Sequence, residues 1–373
     1  MKILNFNSGF LPDRGGVATY SYELTKSLSE NDQVEKVQVI AFNVSEAGEE
    51  KVNDKYHIIR IKRGTVGLWA MGFMILKYLW QYRDFDIIHA TNMFPVGFWV
   101  MIWTKILRKK YFITIYGTDT LTKLGSKKTR LAKKIIMQQA TKVFSFSNST
   151  TQKTLEKYQI SAKNFVTIYP GVTGNFNSKI NFNLKNELGF TGDDFIVLTI
   201  CHLVARKGVD DVIRAISMIE DERVKLIIGG QGPEKENLEN LVKELKLEKR
   251  VKIVGLIRDV ESYYRISNVF ILASYYDNTG DIEGLGIVLI EAQLSNVPII
   301  GTNSGGIPET MQNGVTGFVV PEHGIEEIKE KILFLKNNPD IYQKMSQTAK
   351  EFSIKNFNWV KVAKDYINFY QQN

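Results

Sequence analysis

Two carboxylates around a pair of glycines form the part of the sequence best suited to chemistry. Glu283 and Glu291 are eight positions apart, and the first is followed directly by Gly284, Leu285 and Gly286. A helix that begins after these glycines would leave backbone amides pointing at phosphate or sugar oxygens. Two such glutamates can occur by chance, but the Ser304-Gly305-Gly306 turn after the next predicted strand makes chance a poor explanation. We therefore expect Glu283 to reach sugar hydroxyls and Glu291 to accept hydrogen bonds from a ribose.

A second group of candidate residues follows the first predicted strand of the C-terminal half. His202, Arg206 and Lys207 stand in one loop, at the edge where open parallel sheets bind ligands. A leaving diphosphate gains negative charge as its bond to a sugar breaks, so fixed cations stabilise the transition state more than the ground state. An ordinary surface pair of cations is the alternative. Gly230 lies in a turn after the next strand, which is either a ligand-facing loop or a plain one.

The N-terminal half offers one comparable feature, a glycine pair between its first strand and the following helix. Gly15 and Gly16 would let the backbone approach a ligand closely, and amides at a helix N-terminus favour an anion such as phosphate. A plain tight turn explains the pair equally well. Neither half has the GxGxxG spacing of a dinucleotide site, which argues against a dehydrogenase.

Apolar segments that alternate with helical ones identify the framework for these loops. The N-terminal series of predicted strands covers residues 3–6, 37–42, 58–61, 87–90, 112–116 and 143–146. The C-terminal series covers residues 195–200, 224–228, 251–254, 269–273 and 298–301. Alternation of strand and helix predicts a parallel sheet, so we expect two doubly wound units in tandem. Residues 170–183 carry turn dipeptides without either periodicity and are the predicted linker.

Length and composition agree with two globular domains. The chain has 373 residues, of which 44% are hydrophobic and 24% charged, which is too long for one ordinary core and too apolar for disorder. The first residues lack the apolar run of a secretory signal. The single cysteine, Cys201, rules out an internal disulfide and favours a reducing compartment. We therefore expect a cytoplasmic protein.

The excess positive charge lies entirely in the N-terminal half. The chain has a net charge of +8, but residues 1–170 carry 25 basic and 13 acidic residues, against 23 and 27 in the remainder. Such a half could attract anionic lipid or polyphosphate, or it could only present solvated helix faces. Residues 66–80 and 94–104 are rich in aromatic and apolar side chains but too short to span a bilayer. We expect buried helices there, with a face that dips into the lipid interface as the alternative.

Taken in chain order, these motifs resemble the retaining family 4 (group 1) glycosyltransferases of the GT-B class, over essentially the whole sequence. The matching pieces are Gly15-Gly16 with Tyr20, Tyr116-Gly117-Thr118-Asp119, Tyr169-Pro170-Gly171-Val172, Arg206-Lys207-Gly208, Glu283 with Glu291, and Gly305-Gly306. The resemblance implies an α/β protein of two Rossmann-like doubly wound parallel-sheet domains that face each other across a cleft. Residues 1–175 would bind the acceptor, residues 185–352 the nucleotide sugar, and a C-terminal helix in residues 353–373 would cross back to the first domain.

The resemblance also implies roles for single residues. Lys207 and Arg206 would bind the donor phosphates, while Glu283 would contact the transferred sugar. Glu291 would hold the ribose. Leu256 and Ile257 would flank the nucleobase. The catalytic set would be completed by Tyr116 and Asp119, and the remaining donor-binding positions would be Gly15, Gly16, His202, Gly230, Gly284, Leu285, Gly286, Ile287 and Val288.

Two of these positions depart from the family pattern. Tyr116 stands where the family often has histidine, and His202 stands where it often has arginine. Both side chains can still form hydrogen bonds, but they leave more of the phosphate neutralisation to Lys207 and Arg206. His89, at the end of a predicted strand, is either a further cleft residue or a packed core histidine.

The expected activity is transfer of a hexosyl group from a GDP- or UDP-linked sugar to a glycan or lipid-linked acceptor in cell-surface polysaccharide or glycolipid synthesis. No cofactor, metal or nucleic acid is expected. Asp84-Phe85-Asp86 matches an Asp-x-Asp metal motif by letters but precedes a buried strand, and the four histidines show no ligand spacing. Peripheral contact with an anionic membrane at its inner face is a further expectation. The alternatives are a sugar-nucleotide epimerase of the same fold and a nucleotide-sugar-binding protein without turnover.

Overall fold

A computed structural model of the protein describes residues 1–13, 15–121, 126–173, 181, 183–277 and 283–372. The chain divides into two compact units. The first unit comprises Met1–Gly171 together with Phe357–Asn373, and the second comprises Val172–Asn356. The C-terminal segment therefore belongs to the first unit. Most of the predicted linker lies outside the described residues.

The strands of both units follow the apolar segments of the sequence. They are β1 (Lys2–Asn7), β2 (Lys36–Val44), β3 (Gly48–Lys51), β4 (Tyr56–Lys62), β5 (Ile87–Ala90), β6 (Phe112–Ile115), β7 (Lys142–Ser145), β8 (Phe165–Thr167), β9 (Phe195–Ile200), β10 (Val224–Gly229), β11 (Val251–Gly255), β12 (Val269–Leu272), β13 (Ile299–Thr302) and β14 (Gly317–Val320). In the described part of the first unit they form an eight-stranded sheet of order β3-β4-β2-β1-β5-β6-β7-β8. In that of the second they form a six-stranded sheet of order β11-β10-β9-β12-β13-β14.

The helices cover the sheets. They are α1 (Gly16–Ser29), α2 (Leu68–Gln81), α3 (Phe98–Ile106), α4 (Gly117–Leu121), α5 (Lys127–Gln139), α6 (Asn148–Tyr158), α7 (Leu184–Glu187), α8 (Val209–Ser217), α9 (Lys235–Glu244), α10 (Val260–Ile266), α11 (Ile287–Leu294), α12 (Ile325–Asn337), α13 (Pro339–Asn356) and α14 (Trp359–Gln371). Alternate side chains of β1 enter different cores: Leu4 and Phe6 pack with α2, α3 and α5, whereas Ile3 packs with α1 and α14. The sheet of the first unit is thus covered on both faces, as parallel sheets require.

The predicted fold class is confirmed, and each predicted strand has a counterpart in the structure. Three strands were not predicted: β3, β8 and β14. β3 has the sequence Gly-Glu-Glu-Lys, is exposed along its whole length and pairs antiparallel with β4 at the sheet edge. Besides the backbone pairing, Arg60 Nη2 of β4 donates a hydrogen bond of 2.6 Å to Glu50 Oε2, and β3 has no apolar residue that would mark it in the sequence. The other strand pairs are parallel, as alternation of strands and helices predicted.

The expectation that residues 66–80 form a buried helix is only half right. α2 buries Met71, Ile75 and Leu79 on one side, but its opposite side leaves Trp69 and Phe73 exposed to solvent, together with Trp80. The helix is apolar on both sides, and the sheet can cover only one of them. Within the part of the chain that the structure describes, no helix is long and apolar enough to cross a membrane.

Candidate active site

A cluster of three charged side chains lies beside the carboxyl ends of β9 and β12 in the second unit. Lys207 Nζ donates a hydrogen bond to Glu283 Oε2, and Arg206 Nη1 lies 3.8 Å from the same oxygen. Ser274, two residues beyond the end of β12, donates a hydrogen bond of 3.3 Å from its hydroxyl to this oxygen. The side chains of Lys207, Arg206 and Glu283 are only 11%, 18% and 15% exposed. The structure therefore brings together the three residues that the sequence placed at the centre of the chemistry.

The local sequence explains why the two cations hold this position. Ala205–Lys207 forms a short 3-10 turn that ends at Gly208, where the backbone adopts a left-handed conformation (φ 59°) and starts α8. α8 is anchored by Val209, Val212 and Ile216, which recur at helical spacing on its buried side. The turn is therefore joined to a helix that is packed against the core. This packing fixes the position of the backbone that carries the two cations.

Electrostatics leave this cluster with one positive charge in excess. Burial alone would raise the pKa of Glu283, but the Lys207 ammonium, followed by the Arg206 guanidinium, holds the pKa of this carboxyl below its usual value. Glu283 is therefore ionised at neutral pH. Two cations around one carboxylate give a net charge of about +1, which suits a more highly charged anion than a single carboxylate.

Close backbone contacts hold the surrounding loops together. A side chain at Gly230 would place its Cβ 1.8 Å from the carbonyl oxygen of Cys201, and one at Gly305 would place its Cβ 2.1 Å from the carbonyl oxygen of Glu283. Both glycines also have positive φ angles, 134° and 56°. Glycine is therefore required twice over at each position, for conformation and for space. The loop after β10 therefore packs closely against the loop after β9, and the loop after β13 packs closely against the backbone of Glu283.

The second glutamate lies on α11 and has a partner that the sequence did not indicate. α11 begins at Ile287, directly after Gly286 (φ 85°), while Leu285 is buried. Tyr264, on α10, donates a hydrogen bond of 2.9 Å from its hydroxyl to Glu291 Oε2. Burial raises the pKa of Glu291, and the Tyr264 bond opposes this shift. Tyr264 therefore orients the carboxylate of Glu291.

Tyr264 and Ser274 are the two site residues that sequence reasoning missed. Ser274 had a usable signal, since a polar residue directly after a buried strand lies at the ligand edge of a parallel sheet. Tyr264 had none, because its place beside Glu291 depends on how α10 packs against α11.

The predicted nucleobase and loop residues occupy the same edge of the sheet. Ile257 packs over Gly229, where its Cδ1 would lie 2.4 Å from an added Cβ. Leu256, next to it, is exposed. His202 holds its ring through Nδ1, which lies 2.6 Å from the carbonyl oxygen of Gln231. An apolar pair and an imidazole thus stand after β11 and β9, beside the charged cluster in the sheet order β11-β10-β9-β12.

Two predicted catalytic residues lie in the first unit and have different surroundings from those expected. Tyr116 is buried against Tyr20 and Phe146, with its hydroxyl 3.4 Å from Ser21 Oγ. Its side chain lies in the core of the first unit, and the role of its hydroxyl in orienting a ligand stays a prediction. The ring fills a space between α1 and β7.

Asp119 supports the start of α4. Its Oδ1 accepts a hydrogen bond of 2.8 Å from the backbone N–H of Tyr116, and Lys133 Nζ donates to its carbonyl oxygen. Burial raises the pKa of Asp119 to about 7. The observed bonds give this residue a helix-capping role. Gly15 and Gly16 lie before and at the start of α1 in the same unit, whereas the charged cluster is in the other.

His89 is a packed core histidine, the second of the two interpretations that the sequence allowed. Its Nε2 lies 2.9 Å from Thr114 Oγ1, and its Nδ1 accepts or donates a bond of 2.8 Å with the hydroxyl of Tyr370. Burial lowers the pKa of His89 to about 3, so the ring is neutral.

Both aspartates of the Asp-x-Asp segment contact Lys2, one of them in an ion pair. Asp84 binds Lys2 Nζ at 2.8 Å, and Asp86 accepts the backbone N–H of Lys2 at 2.8 Å. Over the residues whose placement is described, no group of three or more His, Cys, Asp or Glu side chains could hold a metal ion.

Comparison with known sequences and structures agrees with this geometry. A sequence model of group 1 glycosyl transferases matches residues 181–352, and one of glycosyltransferase family 4 matches residues 14–174. Two solved structures superpose on the whole chain. HepE from Anabaena in complex with UDP has a TM-score of 0.78 at 18% identity and covers 100% of both chains. A glycosyltransferase from Rickettsia africae has a TM-score of 0.80 at 21% identity and covers 100% of this chain and 98% of its own.

Two relatives add sequence similarity. N-acetyl-alpha-D-glucosaminyl L-malate synthase of Bacillus anthracis is 28% identical over 295 residues, which is 78% of this chain and 75% of the relative. A GDP-mannose-dependent alpha-(1-6)-phosphatidylinositol monomannoside mannosyltransferase of Mycobacterium tuberculosis is 30% identical over 183 residues, 48% of each chain. The two parallel-sheet units have the fold of the GT-B glycosyltransferases. Within that class, the chain belongs to the family 4, group 1 glycosyltransferases.

Proposed function

We propose that the protein transfers a hexosyl group from a GDP- or UDP-linked sugar to a glycan or lipid-linked acceptor, with retention of the anomeric configuration. The observation that carries this proposal is the cluster of Lys207, Arg206 and Glu283, with its excess positive charge at the ligand edge of the second sheet. The choice of base draws on the relatives, one of which is named as GDP-mannose-dependent and one of which was solved with UDP.

The donor diphosphate would take the place that Glu283 now occupies beside the two cations. Lys207 and Arg206 would neutralise the phosphate oxygens, and their effect would grow as the bond from the sugar C1 to the phosphate oxygen breaks. Glu283, released from Lys207, would turn its carboxylate to the hydroxyls of the transferred sugar. The cations would therefore stabilise the leaving group while the carboxylate positions the sugar.

The rest of the donor would extend along the same edge. The ribose would bind Glu291, whose orientation Tyr264 sets, and the base would lie against Leu256 and Ile257. The backbone amides at the start of α11, at Ile287 and Val288, would face the phosphates, since a helix N-terminus favours negative charge.

The anomeric configuration would be retained because the acceptor hydroxyl attacks C1 of the sugar from the same face as the departing diphosphate. The acceptor hydroxyl would form the new bond to C1, and its proton would pass to the departing phosphate oxygen, so that no enzyme nucleophile takes part. Metal independence is part of the proposal, because Lys207 and Arg206 supply the positive charge that a divalent ion would otherwise supply. The basic first unit would bind the acceptor. We place the protein in the cytoplasm because its single cysteine suits a reducing compartment.

The test is release of free nucleoside diphosphate from a panel of GDP- and UDP-sugars, with membrane extract as the source of acceptor and with chelator present. Lys207→Ala and Glu283→Ala should each abolish release, while Lys344→Ala and Glu330→Gln, at exposed positions on α13 and α12, should not. Variants of Lys207 and Glu283 that retain normal release would refute the assignment.

Two other outcomes would replace the proposal with another function. Interconversion of free sugars or nucleotide sugars without acceptor would identify an epimerase. Tight binding of a nucleotide sugar without turnover over a broad panel of acceptors would identify a binding protein. Mass spectrometry of the products would distinguish a transferred hexose from both.

A further inference from the structure

The outer side of α2 carries three large aromatic side chains that the fold leaves in solvent. Trp69, Phe73 and Trp80 are 71%, 65% and 67% exposed. Their spacing of four and seven residues places them in one stripe along the helix. A soluble surface seldom carries a contiguous apolar patch of this kind unless it binds something. We call these three residues the aromatic stripe.

The aromatic stripe continues onto the neighbouring helix. Trp69 packs against Trp99 of α3 with ring centroids 5.3 Å apart, and a Cβ on Gly72 would lie 2.7 Å from the Trp99 ring. At the other end of the two helices, Lys109 Nζ donates a hydrogen bond of 2.6 Å to the carbonyl oxygen of Arg83. α2 and α3 are therefore in close contact along their lengths, and both end on the same side. Ile106 adds an exposed aliphatic side chain at that end.

Exposed cations lie on both helices that carry the aromatic stripe and its neighbours. The exposed cations on and after α2 and α3 are Lys77, Arg83, Lys105, Arg108 and Lys110. The guanidinium of Arg83 lies 5.3 Å from the centre of the Trp80 ring. The sequence has no Asp or Glu in residues 63–83 or 87–118. The surface therefore combines large apolar side chains, of the kind that insert into a lipid interface, with cations. Neither of these two segments contributes an acidic residue to it.

A third helix on the same face of the sheet repeats the pattern. α5 packs against α3 and contributes Ile136 and Met137 to the same core as α2 and α3. Its outer side exposes Leu131 and Ile135, one turn apart, near Lys127 and Lys128. The apolar and basic character thus extends across the whole helical layer.

We propose that this layer docks on an anionic lipid bilayer, with the aromatic stripe in the interface between headgroups and acyl chains and the cations against lipid phosphates. Tryptophan and phenylalanine beside Lys and Arg are the composition of interfacial helices. A second copy of the chain is a poorer occupant, since it would bring two groups of cations face to face. Nucleic acid would not need the exposed aliphatic side chains. Docking requires no donor or turnover, so it stands apart from the proposed activity.

Vesicle binding tests the proposal directly. The protein should bind vesicles of phosphatidylglycerol and phosphatidylcholine, bind pure phosphatidylcholine at least about tenfold more weakly, and lose binding as salt rises. Replacement of the aromatic stripe by serine should weaken binding by at least about tenfold. The matched control replaces three exposed apolar residues elsewhere, Val315, Ile341 and Val360, with serine and should bind normally. Unchanged binding by the aromatic-stripe variant would overturn the proposal.

Further measurements separate the remaining outcomes. Brominated acyl chains should quench tryptophan fluorescence of the unmodified protein, and no quenching would overturn the proposal even if the serine variant failed to fold. Replacement of Lys77, Arg83, Lys105 and Arg108 by glutamine should abolish the preference for phosphatidylglycerol. A dimer in sedimentation that only the aromatic-stripe variant loses would identify a protein interface instead. Lys207→Ala should bind vesicles normally, so loss of transfer and loss of docking remain distinguishable.

Discussion

Both units bury polar side chains beside their sheets, but these side chains are charged in the second unit and neutral in the first. In the second unit, Lys207, Arg206 and Glu283 are ionised, and each retains some exposure. In the first unit, α14 covers the sheet and seals a neutral group completely: the hydroxyl of Tyr366 lies 2.8 Å from that of Tyr20 and 3.0 Å from Thr114 Oγ1. We propose that the ionised set exchanges its partners for a ligand, whereas the neutral set stays closed.

This difference separates a ligand site from a structural network on physical grounds. His89 and the tyrosines around it satisfy one another in their uncharged forms, since burial lowers the pKa of His89 to about 3 and raises that of Tyr366 to about 12. Groups held neutral in this way stabilise the fold and need no further partner. The pKa of Glu283 also lies below its usual value, but for a carboxyl group this favours the ionised form, and the cause is the cations that face it. Between these two groups, the charge retained under burial therefore distinguishes the proposed site from the structural network.

The largest expected effect comes from removing the centre of the neutral network. His89→Ala should lower the free energy of unfolding by about 3 kcal/mol, because it leaves a cavity and deprives Thr114 and Tyr370 of their partner. Urea unfolding followed by circular dichroism measures this loss. Asp365→Ala, which breaks an exposed pair with Lys361 on the same helix α14, should cost less than about 1 kcal/mol. Equal effects of the two changes would contradict the distinction drawn between the units.

The second prediction concerns the loss of folding stability at acidic pH. The pKa of His89 is lowered on folding, so the unfolded chain takes up a proton first, and stability falls as pH drops below the unfolded value of about 6.5. The loss between pH 7 and pH 5 should be about 2 kcal/mol. His89→Gln should be less stable at pH 7, but its free energy of unfolding should fall less between pH 7 and pH 5, because it lacks the contribution of His89. Parallel pH profiles for the two proteins would show that His89 is protonated in the folded state.

A smaller effect should follow from removing one hydroxyl of the same network. Tyr366→Phe keeps the ring packed against Phe144 but leaves Tyr20 and Thr114 without a hydrogen bond to it. We expect a loss of about 1 to 2 kcal/mol in the free energy of unfolding. Tyr342→Phe on α13 in the second unit is the matched control, and it should leave the stability of the first unit unchanged. No loss in Tyr366→Phe would mean that water replaces the missing hydroxyl.

Sequence patterns predicted the two parallel sheets and the central residues of the candidate site, because both depend on short stretches of sequence. Apolar runs buried on both faces mark parallel strands, and Arg206-Lys207-Gly208 and Glu283 stand at strand ends where ligands bind. What escaped depends on packing between distant segments. The hydroxyl of Tyr264 reaches Glu291 over 27 positions, and β3 has no apolar residue to reveal it. The burial of Tyr116 escaped for the same reason, since it depends on the contact of its ring with Tyr20 of α1.

The last prediction tests whether the ionised group in the second unit exchanges partners as its setting implies. Glu283 Oε2 accepts a hydrogen bond from Lys207 Nζ and lies 3.8 Å from Arg206 Nη1, so a diphosphate that bound both cations would compete with this carboxylate. Glu283→Gln keeps the shape of the side chain but removes the competing charge. We expect GDP or UDP to bind about fivefold more tightly to this variant by calorimetry, while transfer falls because the amide positions the sugar less well.

The matched control is Glu291→Gln, which changes a carboxylate that Tyr264, and not a cation, contacts. It should weaken nucleotide binding, because the neutral amide oxygen of glutamine accepts weaker hydrogen bonds from the ribose hydroxyls than a carboxylate does. If Glu283→Gln also bound the diphosphate more weakly, the carboxylate would be a direct ligand of the nucleotide and not its competitor. The ionised cluster would then resemble the sealed network of the first unit, with partners that stay together when ligand arrives.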